Sequence, residues 1–360
     1  VQRLAEALAQ KKEYSIQVLT SQHQKELKQQ DVLENVSITR VPYLFKMSKG
    51  FFMPQYFLKV WKEVKKSDVV VVNLPQFEAC IVAVLARLLG KRLYCIYHCE
   101  VELPLGIFSS VIQFLLQLSH TITLLCSEKI ITYTDDYAKH SKLLPRFMQK
   151  VTYIYPPIPI PQASSAWQKK LKSLIPKNTF VIGIAARIAA EKGFEYIFEA
   201  LPLIQKQVNK EVVILIAGPK NPVGEEAYWK KIQVLLYSHT KQIIFLGTMP
   251  SAEMGSFYQA LDVLVLPSVN STEAFGMVQV EAMVCGTPVV ASNLPGVRVP
   301  IQVTGMGEIA QVKNIRDIAD KVAKVVQYKN KYVRKAHEIS AIFSFSNTIA
   351  AYEKVFTRVP

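Results

Sequence analysis

The stretch "TFVIGIAARIAAEKGFEYIFEAL", Thr179 to Leu201, decides the fold. It opens on a near-continuous apolar run through Ala185, the pattern of a strand buried on both faces. Past Gly193 the spacing changes. Phe194, Ile197, Phe198 and Leu201 recur at intervals of three and four, which predicts a helix with one apolar face. Arg187 and Lys192 lie in the loop between strand and helix. Two cations at the carboxyl end of a strand, beside a helix N-terminus, make an anion site, and a diphosphate fits it. Two solvated loop cations would leave the same letters in the sequence.

The same alternation fills the chain. In the second half the predicted strands are 179–185, 212–217, 243–246, 262–266, 287–291 and 308–312, each rich in Val and Ile and bounded by Gly, Pro or Asn. In the first half they are 14–20, 36–42, 68–73, 92–97, 129–134 and 151–155, with helical stretches such as 56–66 and 77–89 between them. Strand-helix alternation implies parallel sheets with helices on both faces. The break is "YIYPPIPIPQASS", Tyr153 to Ser165, where four prolines fall in residues 156–161. Such a run is neither helix nor central strand, and it stiffens a connection. Two doubly wound α/β domains facing a cleft are therefore expected, with ligands at the carboxyl ends of their strands.

The chain opens "VQRLAEALAQ", with Val1, Leu4, Ala5 and Leu8 at helical spacing. A doubly wound domain begins strand, turn, helix, so the reading is that a first strand and its turn, about 20–30 residues, precede this start. A genuine start with a permuted sheet is the other reading.

Composition narrows the classes. The 360 residues are half hydrophobic and carry a net charge of +15. The surplus is divided almost evenly between the two halves, with no basic tail. Such a field suits phosphates, nucleotides or an anionic membrane surface. No helix-turn-helix, zinc-finger or RNA-binding signature occurs, so nucleic acid is not expected as a partner. The five cysteines are odd in number and form no Cys-x-x-Cys pair, which reads as reduced thiols rather than a zinc site or disulfide framework. No stretch reads as a membrane span. The nearest, Ile107 to Cys126, is interrupted by Ser, Gln and His, and Phe108, Ile112, Leu115 and Leu116 predict an amphipathic or buried helix. The basic, aromatic segment from Leu44 to Lys66 reads equally as a membrane-resting surface or as a solvated helix with an apolar underside.

A second segment carries chemistry: "NSTEAFGMVQVEAM", Asn270 to Met283. It follows a buried strand, and its helix is expected to begin near Phe275 or Gly276, with Gly286 as a left-handed C-cap. Glu273 then sits before the helix N-terminus, beside the free N–H groups of Phe275, Gly276 and Met277. Glu281 lies among Val278, Val280, Ala282 and Met283, where a carboxylate needs a hydrogen-bonding partner. A ribose diol would serve Glu281, and sugar hydroxyls would serve Glu273. Each acid is also readable as a solvated or dipole-favoured side chain.

"RIAAEKG", "TEAFGMVQVEAM" and "GTPVVASNLPGV" together resemble the carboxyl-terminal domain of glycosyltransferase family 4. The resemblance implies a retaining, nucleotide-sugar-dependent enzyme of two-Rossmann GT-B architecture. It implies that residues 1–158 form the acceptor-side domain, that 159–343 bind the nucleotide sugar, and that a helix in 344–360 returns to the first domain. In this pattern Glu273 and Glu281 match the family's Glu-x7-Glu, and Arg187 with Lys192 match its diphosphate pair. His98, in "YCIYHCEVELPLG", matches a cleft histidine that touches donor sugar or acceptor, although a lone histidine after a strand also reads as structural. Met249 resembles the position near the base. Asp-x-Asp is absent, so a metal bridge is not expected, and Asp135-Asp136 read as a helix start or cap. The implied reaction moves a sugar from an NDP-sugar, as donor substrate rather than cofactor, to a glycan or lipid-linked acceptor in polysaccharide or glycolipid synthesis. The implied location is the cytoplasm, including the inner membrane face. An NDP-sugar 2-epimerase and a non-catalytic nucleotide-binding scaffold are the alternatives.

Overall fold

The computed structural model describes residues 1–47, 50–103, 106–220 and 224–357. Of the segments above, Ser48, Lys49, Pro104, Leu105 and the side chains of Lys46, Met47 and Phe108 lie outside the described residues. The chain divides into two compact units, Val1–Pro157 with Ser346–Pro360, and Ile158–Phe345.

The second unit is built on six parallel strands. Their order across the sheet is Ile243–Gly247, Val212–Ala217, Phe180–Ala185, Val263–Leu266, Val289–Ser292, Gly307–Ala310. The chain starts at Phe180–Ala185, winds outward through two strands, then crosses back to the other side for the remaining three. The reversal falls between Phe180–Ala185 and Val263–Leu266, which pair directly, Ile182 opposite Val263. A crevice opens at the carboxyl ends of such a pair. The sheet is buried on both faces, so its strands are runs of Val, Ile and Leu rather than alternating patterns. Helix Phe194–Val208 lays Phe194, Ile197, Phe198, Leu201 and Ile204 on the sheet, all fully buried, and packs beside helix Ile315–Gln327. Each such side chain contributes about 1.5–3 kcal/mol of burial. The expected strands are present with shifted ends. The strand expected from Thr287 begins at Val289 because Pro288 has no N–H to donate, and offers only its carbonyl to Leu264.

The first unit has a four-stranded parallel sheet in the order Val69–Leu74, Arg92–Tyr97, Lys129–Thr132, Val151–Tyr153. A separate sheet holds Gln17–Ser21 parallel to Val36–Val41, with Gln30–Leu33 antiparallel on its far side. Phe45–Met47 and Gly50–Phe52 form a hairpin. Sequence reading missed Gln30–Leu33, which is largely exposed and carries no hydrophobic alternation. Its turn to Val36 places Glu34 and Asn35 both at positive φ, a primed hairpin turn without the usual glycine. Helix Asp135–His140 does start at the paired aspartates, but its cap is Thr134, whose hydroxyl accepts from the Tyr137 N–H at 3.1 Å. The last helix, Phe345–Phe356, belongs mostly to this unit, with Phe356 against Tyr94 and Glu353 ion-paired to Lys11.

Helix Ile107–Cys126 corrects one expectation. Its residues 109–126 are long and apolar enough, by length and composition, to cross a membrane. Its buried side is in part the expected one, since Leu116 is buried and Ile112 half-buried, but Leu115 is exposed and polar residues share the inner face. Leu116, Ser119, His120, Thr123 and Leu124 face inward, while Ile107, Val111, Phe114, Leu115, Leu118 and Leu125 are exposed. The polar hydroxyls tolerate burial because each is bonded: Ser119 Oγ donates to the Phe77 carbonyl, and Thr123 Oγ1 to that of Ser119. Lys150 Nζ closes the helix by donating to the carbonyls of Leu125 and Ser127.

Candidate functional site

The site of the second unit forms where the two paired central strands end. After Phe180–Ala185 the chain passes Arg187, makes a short turn at Ala190–Lys192, and enters helix Phe194–Val208 through Gly193. Gly193 has φ +65°, and a Cβ there would stand 2.3 Å from the Pro267 carbonyl oxygen. Only glycine lets this loop lie so close to the end of the neighbouring strand. The Val269 N–H donates to the Glu191 carbonyl at 3.0 Å and ties the two loops together.

That closeness brings the predicted residues into contact. Lys192 Nζ donates to Glu273 Oε2 at 2.6 Å, with the two side chains 22% and 15% exposed. Arg187, 40% exposed, is bound by Glu191 and lies 3.6 Å from Glu225 Oε1. Glu225 is itself buried and accepts from the Ala190 N–H at 3.3 Å. Sequence reading placed the two cations and Glu273, and missed the acid partners of Arg187. Glu191 is four residues from Arg187, a spacing that could have been noticed. Glu225 is brought in from the next crossover and leaves no local signal.

Helix Met277–Val284 starts one residue later than expected, with Gly276 at φ +75° as its N-cap. A Cβ on Gly276 would stand 2.5 Å from Leu266 Cδ2 and 2.6 Å from Gln279 Nε2. Gln279 pins this turn: its buried Nε2 donates to the carbonyls of Phe275 and Val297, both at 2.9 Å. Gly286 has φ +82°, the left-handed conformation expected of it. The Phe275 ring is buried edge-on against Phe343 at 5.9 Å, so its backbone is what it can present to a ligand. Met277 is exposed and Met249 buried. Glu281 is half-buried and accepts from the buried Tyr258 hydroxyl at 2.7 Å. The partner that burial demanded is therefore Tyr258, from the short helix Met254–Gln259.

His98 belongs to the first unit. It follows strand Arg92–Tyr97 and extends its ladder, its N–H donating to the Leu74 carbonyl at 2.9 Å. Nε2–H donates to Asn73 Oδ1 at 2.8 Å, and Nδ1 accepts from the Tyr133 hydroxyl at 2.5 Å. Burial pushes its pKa down to about 4, so the ring is neutral at neutral pH. A neutral, fully hydrogen-bonded imidazole is a poised polar group rather than a standing cation.

The second-unit arrangement can bind an anion at Arg187 and Lys192, offer Glu273 and Glu281 to hydroxyls, and present backbone N–H groups at the start of helix Met277–Val284. Its cations already hold carboxylates, so an incoming anion must exchange with them.

Residues 165–339 match the family model for glycosyl transferases group 1. Among curated proteins, D-inositol 3-phosphate glycosyltransferase of Corynebacterium jeikeium is 27% identical over 207 residues, which is 56% of this chain and 49% of that protein. An uncharacterized glycosyltransferase of Methanocaldococcus jannaschii is 31% identical over 165 residues, 45% of this chain and 40% of its own length. The chain thus spans about half the length of the curated relatives it matches. Among solved structures, Anabaena HepE in complex with UDP and glucose aligns with a TM-score of 0.71 at 19% identity, covering 91% of this chain and 87% of that one. Sucrose-phosphate synthase from Thermosynechococcus elongatus aligns with a TM-score of 0.75 at 16% identity, covering 99% and 91%. These likenesses show the fold, which is GT-B.

Proposed function

We propose that this chain transfers a sugar from a nucleoside-diphosphate sugar to an acceptor hydroxyl with retention of anomeric configuration, as a family 4 enzyme working without a metal bridge. The acceptor is a glycan or lipid-linked glycan of polysaccharide or glycolipid synthesis, handled in the cytoplasm. The observation that carries the reading is the meeting of Lys192 with Glu273, and of Arg187 with its acids, at the ends of the two paired central strands. The region that contains them is the one that matches the group 1 family.

In this reading Arg187, Lys192 and the N–H groups of Phe275, Gly276 and Met277 take up charge on the diphosphate as it leaves. Glu273 exchanges its bond to Lys192 for hydroxyls of the donor sugar. Glu281 accepts from the ribose diol while Tyr258 holds it in place. Met249 lies toward the base. His98, neutral, exchanges its bond to Asn73 or Tyr133 for one to donor sugar or acceptor. The leaving phosphate takes the acceptor proton on the same face of the sugar, so no pair of carboxylates flanking the bond is required, unlike glycosidases. HepE structures hold UDP, and UDP with glucose, which makes a uridine-diphosphate sugar the first donor to try. The epimerase and scaffold alternatives gain no support from any residue of the site.

The test is calorimetric titration of UDP- and GDP-sugars into the chain and into Glu281→Ala. One donor bound by the parent and lost by the variant is expected. If neither the sugars nor UDP and GDP bind the parent, the reading fails. Turnover that needs no acceptor would favour epimerisation.

A further inference from the structure

The first unit carries an exposed surface with no place in sugar transfer. Helices Tyr56–Lys66, Ala79–Leu88 and Ile107–Cys126 pack side by side, the first on the second and the second on the third. Right-handed crossovers between parallel strands put the latter two on one face of the sheet. Their outward sides are mostly apolar, with Arg87 exposed at the end of the middle helix. Val111, Phe114 and Leu118 form a stripe along Ile107–Cys126, a helix without one charged residue, and Leu88 stands 74% exposed on the middle helix. Isolated exposed apolar residues need no explanation, but a stripe continued across neighbouring helices marks an interaction surface.

The flanking helix identifies the partner. Its exposed side begins with Phe57, Leu58 and Trp61 and ends with Lys62, Lys65 and Lys66. Residues 44–66 hold six lysines against one acid, Glu63. Phe45 and Phe52 stack on each other at 5.0 Å, half exposed, on the preceding hairpin. Aromatic rings beside lysines, bordering an uncharged apolar face, match the boundary between anionic headgroups and acyl chains. A second copy of the chain would set these lysines against themselves. We infer that this three-helix layer docks the protein on an anionic lipid bilayer, with the apolar stripe entering the acyl boundary and Lys62, Lys65 and Lys66 meeting the headgroups. The polar residues on its inner side, Ser119, His120 and Thr123, keep helix Ile107–Cys126 on its own sheet, so it lies on the membrane rather than crossing it.

The experiment is co-sedimentation of the whole chain with vesicles of phosphatidylglycerol and phosphatidylcholine in equal parts, beside vesicles of phosphatidylcholine alone. Binding to the anionic vesicles is expected, weakening as salt rises from roughly 0.1 to 0.5 M. Each lysine near the surface is worth about fivefold in affinity, so Lys62→Gln with Lys65→Gln and Lys66→Gln should weaken binding roughly a hundredfold. Phe114→Ala with Leu118→Ala should weaken it about tenfold without moving the unfolding midpoint. The inference is overturned if the parent ignores anionic vesicles, or if the lysine variant binds them as tightly. It is equally overturned if the stripe proves to hold a dimer, seen as concentration-dependent association that Phe114→Ala abolishes while vesicles bind nothing. UDP-sugar affinity, measured in parallel, reports on the transfer reading separately.

Discussion

Two helices of nearly the same apolar content divide it differently between core and surface. Phe194–Val208 buries its Phe and Ile residues and exposes Glu199, Lys206 and Gln207. Ile107–Cys126 buries Ser119, His120 and Thr123 beside Leu116 and Leu124, and exposes Val111, Phe114 and Leu118. Hydrophobicity alone does not say which side of a helix faces the core. What decides is the surface already waiting for it. The second-unit sheet offers a continuous apolar face, whereas the inner side of Ile107–Cys126 meets the backbone carbonyl of Phe77, which hydroxyls can satisfy. The largest test of this contrast is one phenylalanine from each helix. Phe198→Ala, fully buried, should cost about 3–5 kcal/mol in urea unfolding. Phe114→Ala, at a residue 65% exposed, should stay within about 0.5 kcal/mol. Equal costs would mean the stripe of Ile107–Cys126 is packed, and the contrast would collapse.

The buried polar side of that helix makes the second prediction. His120 is 4% exposed, hydrogen-bonds the backbone of Gln76, and leaves Nε2 without a partner among the described residues. Burial pushes its pKa down to about 4. The unfolded histidine titrates near 6.5, so below that pH the unfolded chain takes up a proton that the folded chain refuses. Stability is therefore full above about pH 6.5 and falls as pH drops toward 4, by on the order of 3 kcal/mol for this residue. His98, lowered in the same way, adds to the same acid-side loss. Unfolding midpoints measured at neutral pH and near pH 5 should differ less in His120→Leu than in the parent. An unchanged difference would place the acid sensitivity elsewhere.

The same contrast explains what was legible in the sequence. In the second unit, burial on both faces writes Val and Ile runs directly into the chain, and the glycines and charged residues that interrupt them mark the site. Arg187, Lys192, Glu273 and Glu281 were readable because each stands just after such a run or within a helix that it precedes. Glu225, Tyr258 and Gln279 were not, since their roles come from elements packed together or from a turn that sequence spacing does not show. In the first unit an exposed strand, Gln30–Leu33, carries no burial pattern at all, and the apolar letters of Ile107–Cys126 placed Leu116 inward correctly but Leu115 not, and did not show that Ser119, His120 and Thr123 share the inner face. Gly193 joins both kinds of information. Its sequence position announces a helix start, and its φ of +65° with the Pro267 oxygen at 2.3 Å from a built Cβ gives it a packing role no spacing reveals. Gly193→Ala should cost about 1–3 kcal/mol through strain and push the two site loops apart. Donor affinity should fall with it, whereas Gly90→Ala, also at positive φ but with open space around it, should leave the affinity intact.

The smallest effect separates the two cations of the site. Lys192 has one acid, Glu273, which the proposed reaction uses; Arg187 has two, Glu191 and Glu225, which it does not. An arriving diphosphate must displace those carboxylates, and their charge also repels it. Glu225→Gln removes one charge while its amide oxygen can still accept from the Ala190 N–H, so the loop keeps its tether. Since Arg187 is 40% exposed and the two groups are 3.6 Å apart, the gain is close to that of a surface ion pair, about 0.5–1 kcal/mol, or several-fold tighter binding of UDP at low salt. The advantage should shrink as salt is raised. Weaker binding in Glu225→Gln would reverse the assignment: the carboxylate would then be holding the guanidinium in its receiving position, and Arg187 would be prearranged by its acids rather than restrained by them.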